Sequence, residues 1–108
     1  MSALPRIFSA LSDPTRLAIV DRLMNEGELP VARLREGFAM TAPAMSHHLN
    51  VLLHAGVVQR RADKQRRIYS VRPQAIETVG AWTISHRDFW EASLSRLDAA
   101  LTREMNRK

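Results

Sequence analysis

Between Arg60 and Arg72 the chain carries Arg60, Arg61, Lys64, Arg66, Arg67 and Arg72 against a single acid, Asp63. The whole 108-residue chain has a net charge of +5, so its entire positive excess sits in this stretch and the other residues cancel. Cationic groups this dense suit one chemistry above others, the neutralisation of a polyanion, in which each phosphate paired releases a counterion. Just upstream, Ser46, His47 and Asn50 bring short groups that can hydrogen-bond base edges or phosphates. Charge that holds a backbone beside polar groups that read bases is the division of labour of a DNA-binding surface.

Other chemistries lack their parts. The chain has no cysteine, which removes disulfides, thiolate metal sites and thiol redox sensing together. Ser46-His47-His48 is no catalytic triad, because neighbouring helix residues do not converge and no orienting acid stands nearby. Paired carboxylates and a Gly-rich phosphate loop are also missing, so an enzyme is not expected. His86, Asp88, Glu91 and Asp98 are the metal-ligand candidates weighed on the last helix; zinc wants His or Cys donors in tetrahedral sets, and no second His follows. No metal or cofactor is therefore expected, although an intersubunit site using His86, Asp88 and Glu91 stays open. No apolar run approaches the ~20 residues of a membrane span, and the N-terminus lacks a signal-peptide pattern. The expectation is one cytoplasmic domain, residues 1–108, away from membranes.

The elements that must position these groups are legible from periodicity and punctuation. Leu4, Ile7, Phe8 and Leu11 recur at helical spacing. Asp13-Pro14 starts a second helix, with Leu17, Val20, Leu23 and Met24 as its buried stripe and Gly27 as its end. Val31, Leu34 and Phe38 mark a short third helix ending near Gly37. Thr41 caps a fourth, about residues 42–55, with Gly56 just past its C-terminus. Val57–Ala62 and Arg67–Val71 are β-prone runs around Asp63-Lys64-Gln65-Arg66, a hairpin signal weakened by a turn without Gly. Pro73 opens one long final helix, with Gly80 as a weak point. The fold expected is mainly α with a β-hairpin wing (α+β).

On a wheel of about 100° per residue, Met45, Leu49, Leu52 and Leu53 share the buried face of the fourth helix. Ala44, His47, Asn50, Val51 and His54 lie opposite, and Ser46 flanks that outer face. Thr41 and the first-turn amides can meet a phosphate. His48 falls at the edge of the core and reads as structural. In the hairpin, Ile68 faces the core, while Arg67 and Tyr69 share the other face. Ordinary surface roles exist for both elements, a solvated helix face and a charged edge that blocks aggregation. Six bases to one acid is too lopsided for the second.

The runs ALSDPTRLAIVDRL (10–23), SHHLNVLLHAGVV (46–58) and RRADKQRRIYSV (60–71) resemble the ArsR/SmtB family of bacterial winged-helix repressors. The resemblance covers nearly the whole chain. It implies a winged helix-turn-helix that dimerises through its first and last helices and represses transcription from an inverted-repeat operator in double-stranded DNA. Carried onto this sequence, the DNA-reading positions are Thr41, Ala42, Ala44, Ser46, His47 and Asn50, with Arg60, Arg61, Lys64, Arg66, Arg67 and Tyr69 on the wing. The implied dimer contacts are Leu4, Ile7, Phe8 and Leu11 at one end and Trp82, Phe89, Trp90, Leu94, Leu97 and Leu101 at the other. Large aromatics suit that role, burying ~150–250 Å² each.

Departures from the family pattern also matter. Ala42 stands where many members carry Gln, and Asn50 and Leu53 where Lys or Arg is common, so the helix offers few base contacts. The Cys-x-Cys of the metal sensors is replaced by Pro30 and Ala32. In the last helix, His86-x-Asp88 reverses the expected Asp-x-His order. The chain thus resembles a branch without the usual metal ligands. An unknown small-molecule effector stays open, as does a protein-interaction module built on the same fold.

Overall fold

The structure is a computed structural model that describes residues 3–107. In chain order its elements are α1 (Leu4–Leu11), α2 (Pro14–Glu26), β1 (Leu29–Pro30), α3 (Val31–Arg35), α4 (Ala42–His54), β2 (Val58–Asp63), β3 (Arg66–Val71), α5 (Pro73–Ser85) and α6 (Arg87–Met105). They fall into two compact units, one up to Thr78 and one from Val79 on.

In the first unit, four consecutive residues end one helix and begin the next. The Asp13 carboxylate accepts the Arg16 backbone N–H at 3.0 Å, capping α2. That bond holds the Asp13 carboxyl below the usual carboxylate range. Arg16 Nε turns back to donate to the Ala10 carbonyl at 2.7 Å, satisfying a free carbonyl of α1. Arg22, further along α2, donates to the Leu34 carbonyl at 2.8 Å and also to the Glu36 carbonyl. The end of α3 is thereby tied to α2, which sets the angle at which the following helix leaves.

The core of this unit joins Ile19, Val20 and Leu23 of α2, Leu34 of α3, Met45, Leu49 and Leu52 of α4, and Val57, Val58, Ile68 and Tyr69 of the hairpin. Two residues expected in the α2 stripe are displaced from it. Leu17 is 45% and Met24 50% exposed, while Ile19 is fully buried. On the wheel Leu17 and Met24 fall together just past Val20, on the rim of the buried arc and not in it. Ile7, expected at a dimer contact, is 3% exposed within the single chain and belongs to this core. It has no surface left to offer a partner.

The end of α4 is as the glycine implies. Gly56 takes φ +76°, its N–H bonds the Leu53 carbonyl at 3.0 Å, and the Val57 N–H bonds the Leu52 carbonyl at 3.0 Å. This is a Schellman closure, which requires the left-handed residue. A Cβ at Gly56 would meet no atom within 4 Å, so Gly56→Ala carries only the backbone penalty. That penalty is about 1–2 kcal/mol. Gly56→Ala is therefore expected to lower the melting temperature by roughly 4–10 °C in a calorimetric scan. An unchanged melting temperature would show that the helix end readjusts without strain.

The sheet holds a strand that the sequence patterns do not announce. Its order is β1-β3-β2, with Leu29 opposite Tyr69 and Pro30 opposite Ile68. β1 is two residues long and includes a proline, too short for any alternation to show. Its presence makes β3 the central strand, and adjacent residues on the two faces of β3 are buried, Ile68 at 4% and Tyr69 at 3% exposed. Tyr69, expected at the DNA, is thus corrected to a core residue. The third helix also stops earlier than expected, at Arg35, with Gly37 at φ +89° following it.

The second unit corrects the single long C-terminal helix. The break falls at His86, not at Gly80. The Ser85 hydroxyl donates to the Trp82 carbonyl at 2.7 Å, and His86 Nδ1 lies 2.9 Å from the same oxygen. The His86 N–H goes instead to Thr83, three residues back. Side chains that capture the carbonyl of a final turn end a helix there. From Val79 to Arg107 no residue is buried in the single chain.

Candidate nucleic-acid interface

The polar face of α4 is open along its length. Thr41, Ala42, Ser46, His47 and Asn50 are all exposed, and Ala44 is half-buried. The first turn is more occupied than the sequence implies. The Thr41 hydroxyl accepts the Ala44 N–H at 3.2 Å, and Pro43 has no N–H to give. Among the first-turn amides, Ala42 is left to meet an anion, joined by the hydroxyl hydrogen of Thr41. At the far end His54 Nδ1 bonds the Asn50 carbonyl at 2.7 Å, and Arg6 of α1 donates to the His54 carbonyl at 2.9 Å. His54 is therefore engaged with its own helix, and His47 and Asn50 are the longer polar side chains still directed outward.

His48 lies inward, as its wheel position implies. Nδ1 sits 4.0 Å from the Asp13 carboxylate at the start of α2 and is buried without a hydrogen-bond partner among the described residues.

The wing rises from the sheet as β2 and β3 around the two-residue loop Lys64-Gln65, with Asp63 opposite Arg66. Lys64 takes φ +59°, the left-handed conformation that a glycine would adopt more easily. The basic side chains here are not equivalent. Arg66 pairs with Asp63 at 2.7 Å across the loop, and Arg61 reaches Glu28 through two hydrogen bonds, of 2.7 and 3.1 Å. Among the described residues Arg60, Lys64, Arg67 and Arg72 form no ion pair. Glu28 carries no signal in the sequence; only its distance to Arg61 in space marks it.

A groove of about 620 Å³ runs between the wing and the helix-turn-helix. Ser46 and Leu49 of α4 form one wall, Arg66, Arg67 and Tyr69 the other, and Val31 of α3 lies along it. α4 and the wing therefore face one shared depression, with Ser46 on the helix side and Arg66 and Arg67 on the strand side.

In the second unit, Phe89 and Trp90 meet edge to face with ring centroids 5.6 Å apart, and Trp82 lies 5.0 Å from the His86 ring. Phe89, Leu94, Leu97, Leu101 and Met105 are each more than half exposed along α6, and Trp90 is 42% exposed. Asp88 and Glu91 sit in the first turns of α6, just past His86. Among the described residues no three His, Asp or Glu side chains converge as a metal site would require. No helix of the described residues is long and apolar enough to cross a membrane.

Comparison with known proteins places this geometry. A helix-turn-helix domain family matches residues 11–61. The transcriptional repressor SdpR of Bacillus subtilis is 33% identical over 79 residues, which is 73% of this chain and 87% of the repressor. A crystal structure of an ArsR family transcriptional regulator matches with a TM-score of 0.72 at 30% identity, covering 82% of this chain and 91% of the other. The homodimeric winged helix-turn-helix DNA-binding domain from Mycobacterium bovis, solved in solution, matches with a TM-score of 0.64 at 26% identity over 80% of this chain and 79% of its own.

Proposed function

Since the chain belongs to the ArsR/SmtB family of winged helix-turn-helix transcriptional regulators, we propose that it is a cytoplasmic, non-enzymatic homodimer that represses transcription from an inverted-repeat operator. The observation that carries this reading is the groove between α4 and the wing. It sets Ser46 beside Arg67, a base-reading group beside a cation with no acid partner among the described residues. In this reading the start of α4 enters the major groove with Ser46, His47 and Asn50 at base edges. Thr41, Ala42 and Ala44 lie against the flanking backbone, and the wing cations neutralise phosphates.

Dimerisation rests on the apolar stripe of α6, which buries nothing within one chain. A second copy would cover it and place two α4 helices on successive half-sites about one helical turn apart. Leu4, Phe8 and Leu11 of α1 are the remaining contacts for a partner at the other end of the chain.

The test is retention on duplex DNA carrying the protein's own promoter region, as a function of salt. Four unpaired wing cations per protomer predict a log K against log salt slope on the order of −4 to −7. A two-fold symmetric footprint should accompany it. No retention on any duplex at low salt would reject a DNA-binding function.

A further inference from the structure

The strand register sorts the wing arginines onto two faces. Residues directly opposite in an antiparallel pair share a face. Arg61 stands opposite Ile68, and Ile68 opposite Pro30, so these three lie in one row on one face. Arg60 stands opposite Tyr69, and Arg67 lies two residues from Tyr69 on the same strand, so both occupy the other face. Each face has its own electrostatics. The Arg61 face is internally neutralised, because Glu28, one residue before β1, takes both of its hydrogen bonds from Arg61. The Arg60 and Arg67 side has no acid partner among the described residues, and Arg67 lines the groove shared with Ser46 of α4 together with Arg66, which is paired with Asp63.

The Glu28–Arg61 pair also spans the sheet. It links the approach to one outer strand, β1, with the other, β2, over the central β3. Within the sheet β2 pairs with β3 alone, Val58 is its one buried residue, and from Ile68 toward the loop the hairpin projects from the core. The fork of a guanidinium on a carboxylate fixes orientation as well as charge. Arg61 holds the Glu28 carboxyl below the usual carboxylate range, and Glu28 raises the guanidinium in turn, so the pair is ionised at neutral pH.

We propose that Glu28 is a positioning residue for DNA binding: by clasping Arg61 it withholds that arginine from phosphate and orients the wing so that Arg60 and Arg67 make the contacts. The proposal rests on the DNA-binding function inferred above and adds to it which arginines act on DNA and which act on the protein.

Salt dependence separates the two roles, since a purely structural loss weakens binding without changing how many phosphates are neutralised. Binding of the full chain to one duplex from its promoter region is measured over a range of salt for Arg60→Gln, Arg67→Gln, Arg61→Gln and Glu28→Gln. Arg60→Gln and Arg67→Gln are each expected to flatten the slope by about one per protomer bound. Arg61→Gln and Glu28→Gln are expected to weaken binding several-fold at every salt concentration with no flattening. The exchanged pair Glu28→Arg with Arg61→Glu, which rebuilds the clasp with its charges reversed, should recover most of the lost affinity. If Arg61→Gln flattens the slope as much as Arg67→Gln, or the exchanged pair stays as weak as the single variants, the assignment is overturned while DNA binding stands. If the unaltered chain binds no duplex, both fall together. Thermal melts of each variant confirm folding, and Arg60→Gln and Arg67→Gln test the sorting even if a clasp variant is unstable.

Discussion

Trp90→Ala combined with Leu97→Ala is expected to leave the chain monomeric at micromolar concentration and to weaken operator binding by roughly a hundredfold or more. The argument begins with what α6 lacks. Nineteen residues, Arg87–Met105, form a helix with no buried position. A helix of this length gains most of its stability from packing an apolar face, so an unpacked one needs a partner. Trp90, Leu94, Leu97 and Leu101 follow spacings of three or four residues, which keep them on one side of the helix, with Phe89 at the edge of that side. Truncating a central aromatic anchor commonly costs about 2–4 kcal/mol, a factor of roughly 30 to 1,000 in dimer dissociation. The loss then propagates to DNA. Two tethered recognition helices gain about 10²–10⁴ in avidity over one, and a monomer forfeits that gain. Sedimentation reads the first effect and operator titration the second. A variant that still sediments as a dimer would place the association surface away from Trp90 and Leu97.

His47→Ala should act differently, on discrimination more than on grip. His47 is exposed on the outer face of α4, at the same level as Ser46 and Asn50, and its ring is 5.8 Å from that of His48. A well-made base contact discriminates by about 1–3 kcal/mol. A symmetric dimer makes each contact twice, about 2–6 kcal/mol in all, so His47→Ala is expected to lower the ratio of operator to random-sequence affinity by at least roughly 30-fold. Its salt slope should stay unchanged, since the proposed docking sets His47 at a base and not a phosphate. Competition titrations with operator and scrambled duplexes measure this directly. If operator and scrambled DNA weaken together, His47 lies on the backbone and the reading of α4 moves to Ser46 and Asn50.

Much of what positions this site was legible residue by residue. Asp13, Thr41 and Gly56 were expected to cap, cap and terminate, and each does so through a hydrogen bond within four residues of itself. Met45, Leu49 and Leu52 line the buried face of α4 because one local period decides it. What escaped was set at a distance in the chain. Tyr69 looks like a wing-face residue in the sequence, yet it is buried and pairs with Leu29 of β1, forty residues upstream. Arg61 looked like any other wing cation, yet Glu28 is its partner across thirty-three residues. Leu17 and Met24 followed the helical period and still fell on its rim, since a period defines a stripe without defining where the neighbouring elements end. The break at His86 is the exception, a local event that gave no signal because Ser and His are unremarkable helix residues until they turn onto the Trp82 carbonyl.

The chain's sequence alone determined a polyanion-binding protein with a capped polar helix and a basic hairpin, because charge totals, caps and short periods depend only on neighbours in the chain. The tertiary structure alone decided how that charge is divided. Coulomb pairing and burial depend on distances in space, and only the folded sheet brings Glu28 to Arg61, hides Tyr69, and leaves Arg60 and Arg67 together on the other face of the wing, with Arg67 on the groove it shares with α4.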